Sequence, residues 1–208
     1  MNYEILSAFA LATAVLAFTP GPDNIYVLTQ GVVNGRKYGL ATTAGLISGC
    51  LVHTTLLAFG VSLIIRESES IFFTIKFFGA IYLLYLAYKV YKEGDVINLN
   101  GTAVPKRPLW QLFRQGFIMN VLNPKVTIFF LAFFPGFLFS STMSTVWQFY
   151  ILGLLFMLVS FLIFSGIAIM AGSISSYLRS HKHAGKWLKW IQIVVFVGIA
   201  VFLLISDN

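Results

Sequence analysis

The chain has 208 residues, of which 58% are hydrophobic and 10% are charged, whereas a soluble domain carries about a quarter charged residues. This composition excludes a water-soluble globule, whose surface needs more polar groups, and it indicates an integral membrane protein. A net charge of +7 would suggest a nucleic-acid partner for a soluble protein, but basic residues in short loops are typical of membrane proteins. We therefore expect a lipid bilayer as a partner and no nucleic acid. The one cysteine, Cys50, excludes an internal disulfide and a Cys-rich metal site.

Six apolar segments follow in chain order, and each is long enough to cross a bilayer as a helix. They cover about Ile5–Thr29, Leu40–Ile65, Ile71–Tyr91, Leu112–Phe139, Val146–Gly172 and Trp187–Ser206. The first residues hold no Lys or Arg, so we interpret the first segment as a retained span and not as a signal peptide. We predict one all-helical membrane domain over residues 1–208. Its first half covers about 1–97, a cytoplasmic linker covers about 92–111, and its second half covers about 112–208.

Lys and Arg alternate between the two sides of this arrangement. The loops after the first, third and fifth segments, with the segment ends beside them, hold eleven basic residues. The loop after the second segment holds Arg66 alone, and both tails hold none. Because cytoplasmic loops are enriched in Lys and Arg, we expect these three loops in the cytoplasm and both termini outside.

Each half begins with a span that is broken by proline. Pro20-Gly21-Pro22-Asp23-Asn24 lies in the first span, and Asn123-Pro124-Lys125 lies in the fourth. Three spans per half give the two halves opposite orientations, which is the arrangement of inverted-repeat transporters. We therefore predict six transmembrane helices as two inverted three-helix repeats, with helices 1 and 4 broken at prolines. Coincidence is the alternative, since Pro and Gly are common in membrane helices.

Three charged residues lie within the spans, namely Asp23, Lys76 and Lys125. A charge at the bilayer centre costs a few kcal/mol unless it is paired or hydrated. Asp23 is the acid among them; it could bind a proton or a substrate ammonium, or merely cap the helix that restarts after Pro22. Lys125 could pair with Asp23, bind a substrate carboxylate or extend to the cytoplasmic face. For Lys76, near the outer interface, we favour extension to the membrane surface.

The prolines can themselves create a binding site, since a proline inside a helix frees the carbonyl four residues earlier. We expect the carbonyls of Leu16, Phe18 and Asn120 to accept hydrogen bonds from a substrate ammonium. The N–H groups of the restarted helices suit a carboxylate, and asparagine amides both donate and accept. The predicted substrate and proton site consists of Pro20, Gly21, Pro22, Asp23, Asn24, Asn120, Asn123, Pro124 and Lys125.

The second span carries Gly45 and Gly49, a spacing typical of close helix packing. His53 follows on the same face; it could relay protons, but we favour a packed, hydrogen-bonded histidine. His53 and Lys76 are therefore only possible secondary site residues.

His181 and His183 lack a third ligand, so no metal site is expected. The chain has no phosphate-binding loop and no zinc-protease or serine-hydrolase motif, and we expect no cofactor and no enzymatic activity.

Four stretches resemble the LysE/RhtB family of bacterial amino-acid exporters. They are TPGPDN (Thr19–Asn24), NGRKYGLATTAGLISG (Asn34–Gly49), KFFGAIYLLYLAY (Lys76–Tyr88) and FRQGFIMNVLNPKVTIFFLAFFPGF (Phe113–Phe137). The resemblance implies a secondary transporter that exports amino acids or related small zwitterions across the inner membrane by proton antiport. Because the family tolerates other residues at the position of Asp23, the resemblance does not make a proton role for Asp23 obligatory.

Two other function classes are weighed against export. A passive channel for small solutes would show flux that is independent of the proton gradient. An intramembrane lipid-modifying enzyme would need a cluster of acids and histidines, or a nucleophile with its base, whereas the spans hold one Asp and one His. The sequence leaves the transported amino acid, the coupling ion and the oligomeric state open.

Overall fold

The computed structural model describes residues 2–19, 21–62, 69–92, 106–181 and 184–205. These residues form nine α-helices and no strand, which confirms the all-helical membrane fold class. The helices are α1 (Tyr3–Phe18), α2 (Pro22–Val33), α3 (Arg36–Leu56), α4 (Glu69–Lys92), α5 (Leu109–Val121), α6 (Pro124–Phe133), α7 (Thr145–Ile169), α8 (Ala171–Ser180) and α9 (Ala184–Ile205). A π-helical turn (Leu57–Val61) continues α3, and a 3-10 turn (Phe134–Phe137) continues α6.

Among the described residues, four helical stretches are long and apolar enough to cross a membrane singly. They are Arg36–Val61, Phe73–Lys92, Thr145–Ile169 and Gly185–Ile205. Two further spans are bent pairs: α1 and α2 meet at 61°, and α5 meets α6 with its 3-10 turn at 52°. Counting each bent pair as one span gives the six predicted spans. Residues 93–105 of the predicted linker lie outside the described residues, and the side on which the termini lie stays a prediction.

Both breaks restart in the same way. Gly21 is the N-cap of α2 and Pro22 follows it, while Asn123 is the N-cap of α6 and Pro124 follows it. Proline suits the first position of a helix because the N–H that it lacks would have no partner there. Each half therefore has a broken helix followed by two long ones. The inverted relation between the halves, and the division into two repeats, stay predictions.

One helix was not predicted. The polar residues after the fifth span form α8, which follows α7 after Met170 and packs against α2. Small residues allow the close approach: a Cβ on Gly31 would lie 2.6 Å from the Cβ of Ala171. Because α8 is short and rich in serine, a search for long apolar runs does not detect it.

The centre of the bundle is α3, which packs against α2, α5 and α7, while α4 packs against α9 and α6. At the crossing of α3 and α5, backbone touches backbone. A Cβ on Gly116 would lie 2.5 Å from the carbonyl oxygen of Thr42, and a Cβ on Gly45 would overlap the carbonyl of Phe113. A Cβ on Gly49 would lie 2.7 Å from Oδ1 of Asn120. Glycine at these positions thus brings α5, with the break at its end, against α3.

Most of the buried apolar side chains lie in one cluster, built on α6 and its neighbours. Seven of its phenylalanines have rings in contact with one another, and we call them the phenylalanine cluster: Phe9, Phe129, Phe130, Phe133, Phe134, Phe137 and Phe156. The rings of Phe130 and Phe134 stack at 4.1 Å, and those of Phe129 and Phe133 stack at 4.4 Å. A smaller cluster of Val27, Leu46, Phe164 and Ala168 joins α2, α3 and α7. The bundle therefore has a thick apolar layer around α6 and a thinner one around α2.

Gln148, near the start of α7, is 2% exposed and holds the segment that precedes the helix. Its Oε1 accepts hydrogen bonds from the N–H groups of Phe139 (2.8 Å) and Ser140 (2.9 Å). Its Nε2 donates to the carbonyls of Ser140 (2.8 Å) and Met143 (2.9 Å). The side chain thereby uses its full hydrogen-bonding capacity on backbone groups that no helix satisfies.

We expect Gln148→Leu to lower the free energy of unfolding by roughly 2–4 kcal/mol, because buried backbone groups lose their partners. Thermal unfolding of the purified protein in detergent measures this change. Gln111→Leu is the matched control, since Gln111 is exposed at the start of α5. Equal melting temperatures for the two variants would contradict the assigned role of Gln148.

Candidate functional site

The two breaks meet at one cavity inside the membrane-spanning bundle. Its volume is about 60 Å³, which is enough for a few water molecules. The walls come from α1, α2, α3, α5, α6 and α7. The lining residues are Leu16, Ala17, Gly21, Pro22, Asp23, Asn24, Ile47, Cys50, Asn120, Asn123, Lys125, Val126, Phe156, Ser160 and Phe164.

Asn123 bridges the two broken spans. Its Nδ2 donates to Oδ2 of Asp23 at 3.1 Å, and its Oδ1 accepts from the backbone N–H of Lys125 at 3.1 Å. The same side chain thus caps α6 and holds the carboxylate of α2. Because the capping residue of α2 is Gly21 and no side chain caps that helix, the alternative that Asp23 is the N-cap is wrong.

The ammonium group of Lys125 is attracted by a nearby carboxylate and repelled by the dipole of its own helix. It attracts the carboxylate of Asp23, and its Nζ lies 4.7 Å from the centre of the Phe196 ring. A Cβ on Gly21 would lie 3.3 Å from this Nζ, so the glycine leaves room for the ammonium group. Lys125 is nevertheless in the first turn of α6, where the helix dipole repels a cation. An anion in the cavity, either Asp23 or the carboxylate of a substrate, relieves that repulsion.

Two of the three carbonyls expected to be free at the breaks have hydrogen-bond partners, and for the third, that of Phe18, the expectation stays a prediction. Leu16 accepts a hydrogen bond from the N–H of Thr19 at 3.1 Å. The carbonyl of Asn120 accepts from the N–H of Asn123 at 3.0 Å and from Nε2 of His53 at 3.1 Å. For Leu16 and Asn120 the prediction is therefore wrong, because the turning chain brings local donors to these oxygens.

The asparagines at the breaks have separate structural tasks. Nδ2 of Asn24 donates to the carbonyl of Ala17 at 2.7 Å and so ties α2 to the end of α1. Oδ1 of Asn120 accepts a weak hydrogen bond from Sγ of Cys50 at 3.7 Å. His53 is 4% exposed and donates from Nε2 to a carbonyl, which fixes the proton on that nitrogen. These bonds hold the two breaks in a defined shape around the cavity.

Most residues of the predicted site line this cavity, and a few do not. Those that do are Gly21, Pro22, Asp23, Asn24, Asn120, Asn123 and Lys125. Pro20 lies outside the described residues, while Pro124 and the possible secondary residues His53 and Lys76 are not among the lining side chains. Lys76 is 7% exposed, so its predicted extension to the membrane surface is wrong. The reason is its position on the inward face of α4, in line with the buried Ala80, Leu83 and Ala87.

Sequence reasoning missed the wall formed by α7. Phe156, Ser160 and Phe164 follow one another at four-residue spacing and therefore share one face of the helix. A serine in an otherwise apolar stretch was the available signal, but hydropathy does not tell which face of α7 points inward. Ile47 and Cys50 on α3 were missed for the same reason.

Comparison with known proteins agrees with this architecture. The family model described as LysE type translocator matches residues 14–207. A homoserine/homoserine lactone efflux protein of Salmonella typhimurium (strain LT2) is 28% identical over 182 residues, which cover 88% of this chain and 87% of that protein. A leucine efflux protein of Enterobacter sp. (strain 638) is 26% identical over 195 residues, which cover 94% of this chain and 92% of that protein. No solved structure matches the chain.

The matched region covers both breaks and the second to sixth spans, it includes the first span from residue 14 onward, and it confirms the resemblance found in the four sequence stretches. Helices that can cross a membrane, together with relatives named as efflux proteins, make the chain a multi-pass membrane protein and a transporter, not an enzyme. The chain belongs to the family of LysE-type translocators.

Proposed function

We propose that this protein exports small amino acids, as zwitterions, across the inner membrane of a bacterium, with both termini outside. The observation that carries the proposal is that one cavity within the bundle is lined by both Asp23, which Asn123 holds by a hydrogen bond, and the oppositely charged Lys125. A zwitterion presents the two charges that this pair complements. The relatives named for homoserine and leucine efflux support amino acids as the substrate class.

In the empty site the charges of Asp23 and Lys125 compensate each other, and in the occupied site the charges of the substrate take over this compensation. The substrate ammonium binds the carboxylate of Asp23, and the substrate carboxylate binds the ammonium of Lys125. The first turn of α2, which no side chain caps, and the positive ends of the two helix dipoles also favour a carboxylate. Binding therefore keeps both buried charges compensated.

The size of the cavity implies that transport needs movement of its walls. A volume of about 60 Å³ admits a few water molecules, which is less space than an amino acid needs. The phenylalanine cluster closes the side around α6, and the layer of Val27, Leu46, Phe164 and Ala168 closes the side around α2. Alternate opening of these two layers would expose the site first to one side of the membrane and then to the other.

We further propose that export is coupled to inward proton movement, with Asp23 as the proton carrier. A proton on the Asp23 carboxylate removes the charge that holds the substrate ammonium, so proton and substrate compete for one group. Because of this competition, the protein exchanges a substrate for a proton and does not let either of them pass alone. The opposing candidate, a passive channel, needs no such competition.

Efflux from preloaded proteoliposomes, with and without a pH gradient, tests this function against a panel of amino acids. If the protein is a proton-coupled exporter, efflux of at least one amino acid is faster when protons can move in the opposite direction. Flux that ignores the gradient would favour the passive channel. If proteoliposomes retain every amino acid as long as liposomes without the protein do, amino-acid export is contradicted.

Asp23→Asn is expected to lower proton-coupled efflux at least tenfold, which corresponds to about 1.4 kcal/mol, and to remove the response of the remaining flux to pH. An amide can neither carry the proton nor balance a substrate ammonium. The measurement is initial efflux at several pH values, normalised to the amount of folded protein. Glu4→Gln is the control, because Glu4 is exposed at the start of α1. An unchanged rate and pH dependence in Asp23→Asn would exclude a coupling role for this residue.

A further inference from the structure

Ser160 has an unusual environment in the cavity wall. It is 2% exposed, and its Oγ has no hydrogen-bond partner among the described residues. Hydroxyl groups buried in a membrane protein are normally satisfied by a protein group, because the surrounding lipid offers none. The free hydroxyl of Ser160 is therefore a group that the folded chain leaves available.

Other hydroxyl side chains in these helices show the usual solution. Thr42, Ser48 and Thr54 each donate to the carbonyl four residues earlier, at 3.0, 2.7 and 2.9 Å. This bond within the same helix is the standard partner for a buried hydroxyl. Ser160 does not form it, so its hydroxyl is not committed to its own backbone.

Position separates Ser160 from the other unpartnered hydroxyls. Thr13, Thr43 and Ser165 also lack partners, but they are not among the side chains that line the cavity. Ser160 lines it together with Phe156 and Phe164, one helical turn away on each side. The Sγ of Cys50, which also lines the cavity, is engaged with Asn120 and the carbonyl of Leu46. On the α7 wall, Ser160 is thus the one polar group between two aromatic rings.

The two ends of the zwitterion have their partners at the breaks, and the substrate side chain therefore faces the remaining apolar walls. We infer that Ser160 determines side-chain specificity by hydrogen bonding a hydroxyl on the substrate side chain, so that a hydroxylated amino acid is preferred over its isosteric aliphatic analogue. The inference rests on the proposed function. A methyl group in place of the substrate hydroxyl fills the same space but leaves Oγ of Ser160 unpaired, and sites built to pair a hydroxyl discriminate against analogues that lack it.

The test compares homoserine with norvaline, whose side chains differ by a hydroxyl against a methyl group. Counterflow of each is measured in proteoliposomes with the full chain, and the ratio of the two rates is the readout. We expect the native protein to favour homoserine by about tenfold and Ser160→Ala to reduce the ratio to about twofold or less. The ratio does not depend on how much protein folds, because both rates come from one preparation.

Ser165→Ala is the matched control, since it removes an unpartnered serine hydroxyl from the same helix outside the cavity. It should keep the native ratio. An unchanged ratio in Ser160→Ala, or an equal loss in both serine variants, would overturn the role of Ser160. Equal transport of both amino acids by the native protein would overturn it as well, while leaving amino-acid export intact. Absence of transport across a wider amino-acid panel would instead contradict the proposed function itself.

Discussion

Lys125→Gln is expected to lower amino-acid efflux at least tenfold, or by about 1.4 kcal/mol in transition-state free energy. Lys125 is the basic residue among the side chains that line the cavity. Without it the substrate carboxylate loses its cation, and Asp23 loses the charge that compensates it within the membrane. The measurement is counterflow per folded transporter, and Lys89→Gln is the control because Lys89 is exposed in the last turn of α4.

The double variant Asp23→Asn with Lys125→Gln separates stability from transport. Removing one charge leaves the other uncompensated, and this is destabilising, whereas removing both leaves no uncompensated charge. We therefore expect the double variant to melt at a higher temperature than Lys125→Gln, while its transport stays lost. Native transport by Lys125→Gln, or restored transport in the double variant, would contradict the proposed binding role.

Gly45→Ala and Gly116→Ala are each expected to destabilise the protein by about 1–3 kcal/mol, the usual effect of overpacking. The new methyl groups would meet the backbone carbonyls of Phe113 and Thr42, not flexible side-chain ends. Relief therefore requires α3 and α5 to separate. Since α5 ends at the break that carries Asn120 and Asn123, a shift of this helix also displaces the cavity wall.

The melting temperature of the purified protein in detergent measures this effect. Gly198→Ala is the matched control, because its Cβ would meet nothing within 4 Å and the glycine lies inside α9. Alanine is also the better helix former, so this control should be neutral or slightly stabilising. If all three variants have the same melting temperature, the close contact of α3 and α5 does not limit stability.

The spans and their breaks could be predicted because both depend on local properties. Long apolar runs identify the membrane helices, and proline acts on the turn in which it stands. The restarts at Pro22 and Pro124 follow directly from this chemistry. The same local reasoning failed for the carbonyls of Leu16 and Asn120, since it counts the donor that proline removes but not the donors that the turning chain brings in.

The rotation of each helix about its axis could not be predicted in the same way. A span such as α7 is apolar on nearly all sides, so its sequence carries no contrast between a lipid-facing and an inward face. Nothing along the chain therefore singles out Ser160, and the local pattern around Lys76 favoured extension to the membrane surface. Packing against α1, α2 and α3 orients α7, and packing against α9 and α6 orients α4.

The sequence by itself determined the membrane class, the six spans, the two proline restarts and the charges placed just after them. Only the tertiary structure decided that Asn123 binds a carboxylate 100 residues away and that α7 supplies an aromatic wall with one unpaired hydroxyl. The physical reason is that hydropathy and proline chemistry act along the chain. The site instead depends on how closely α3 and α5 approach at their glycines and on which face each helix turns inward.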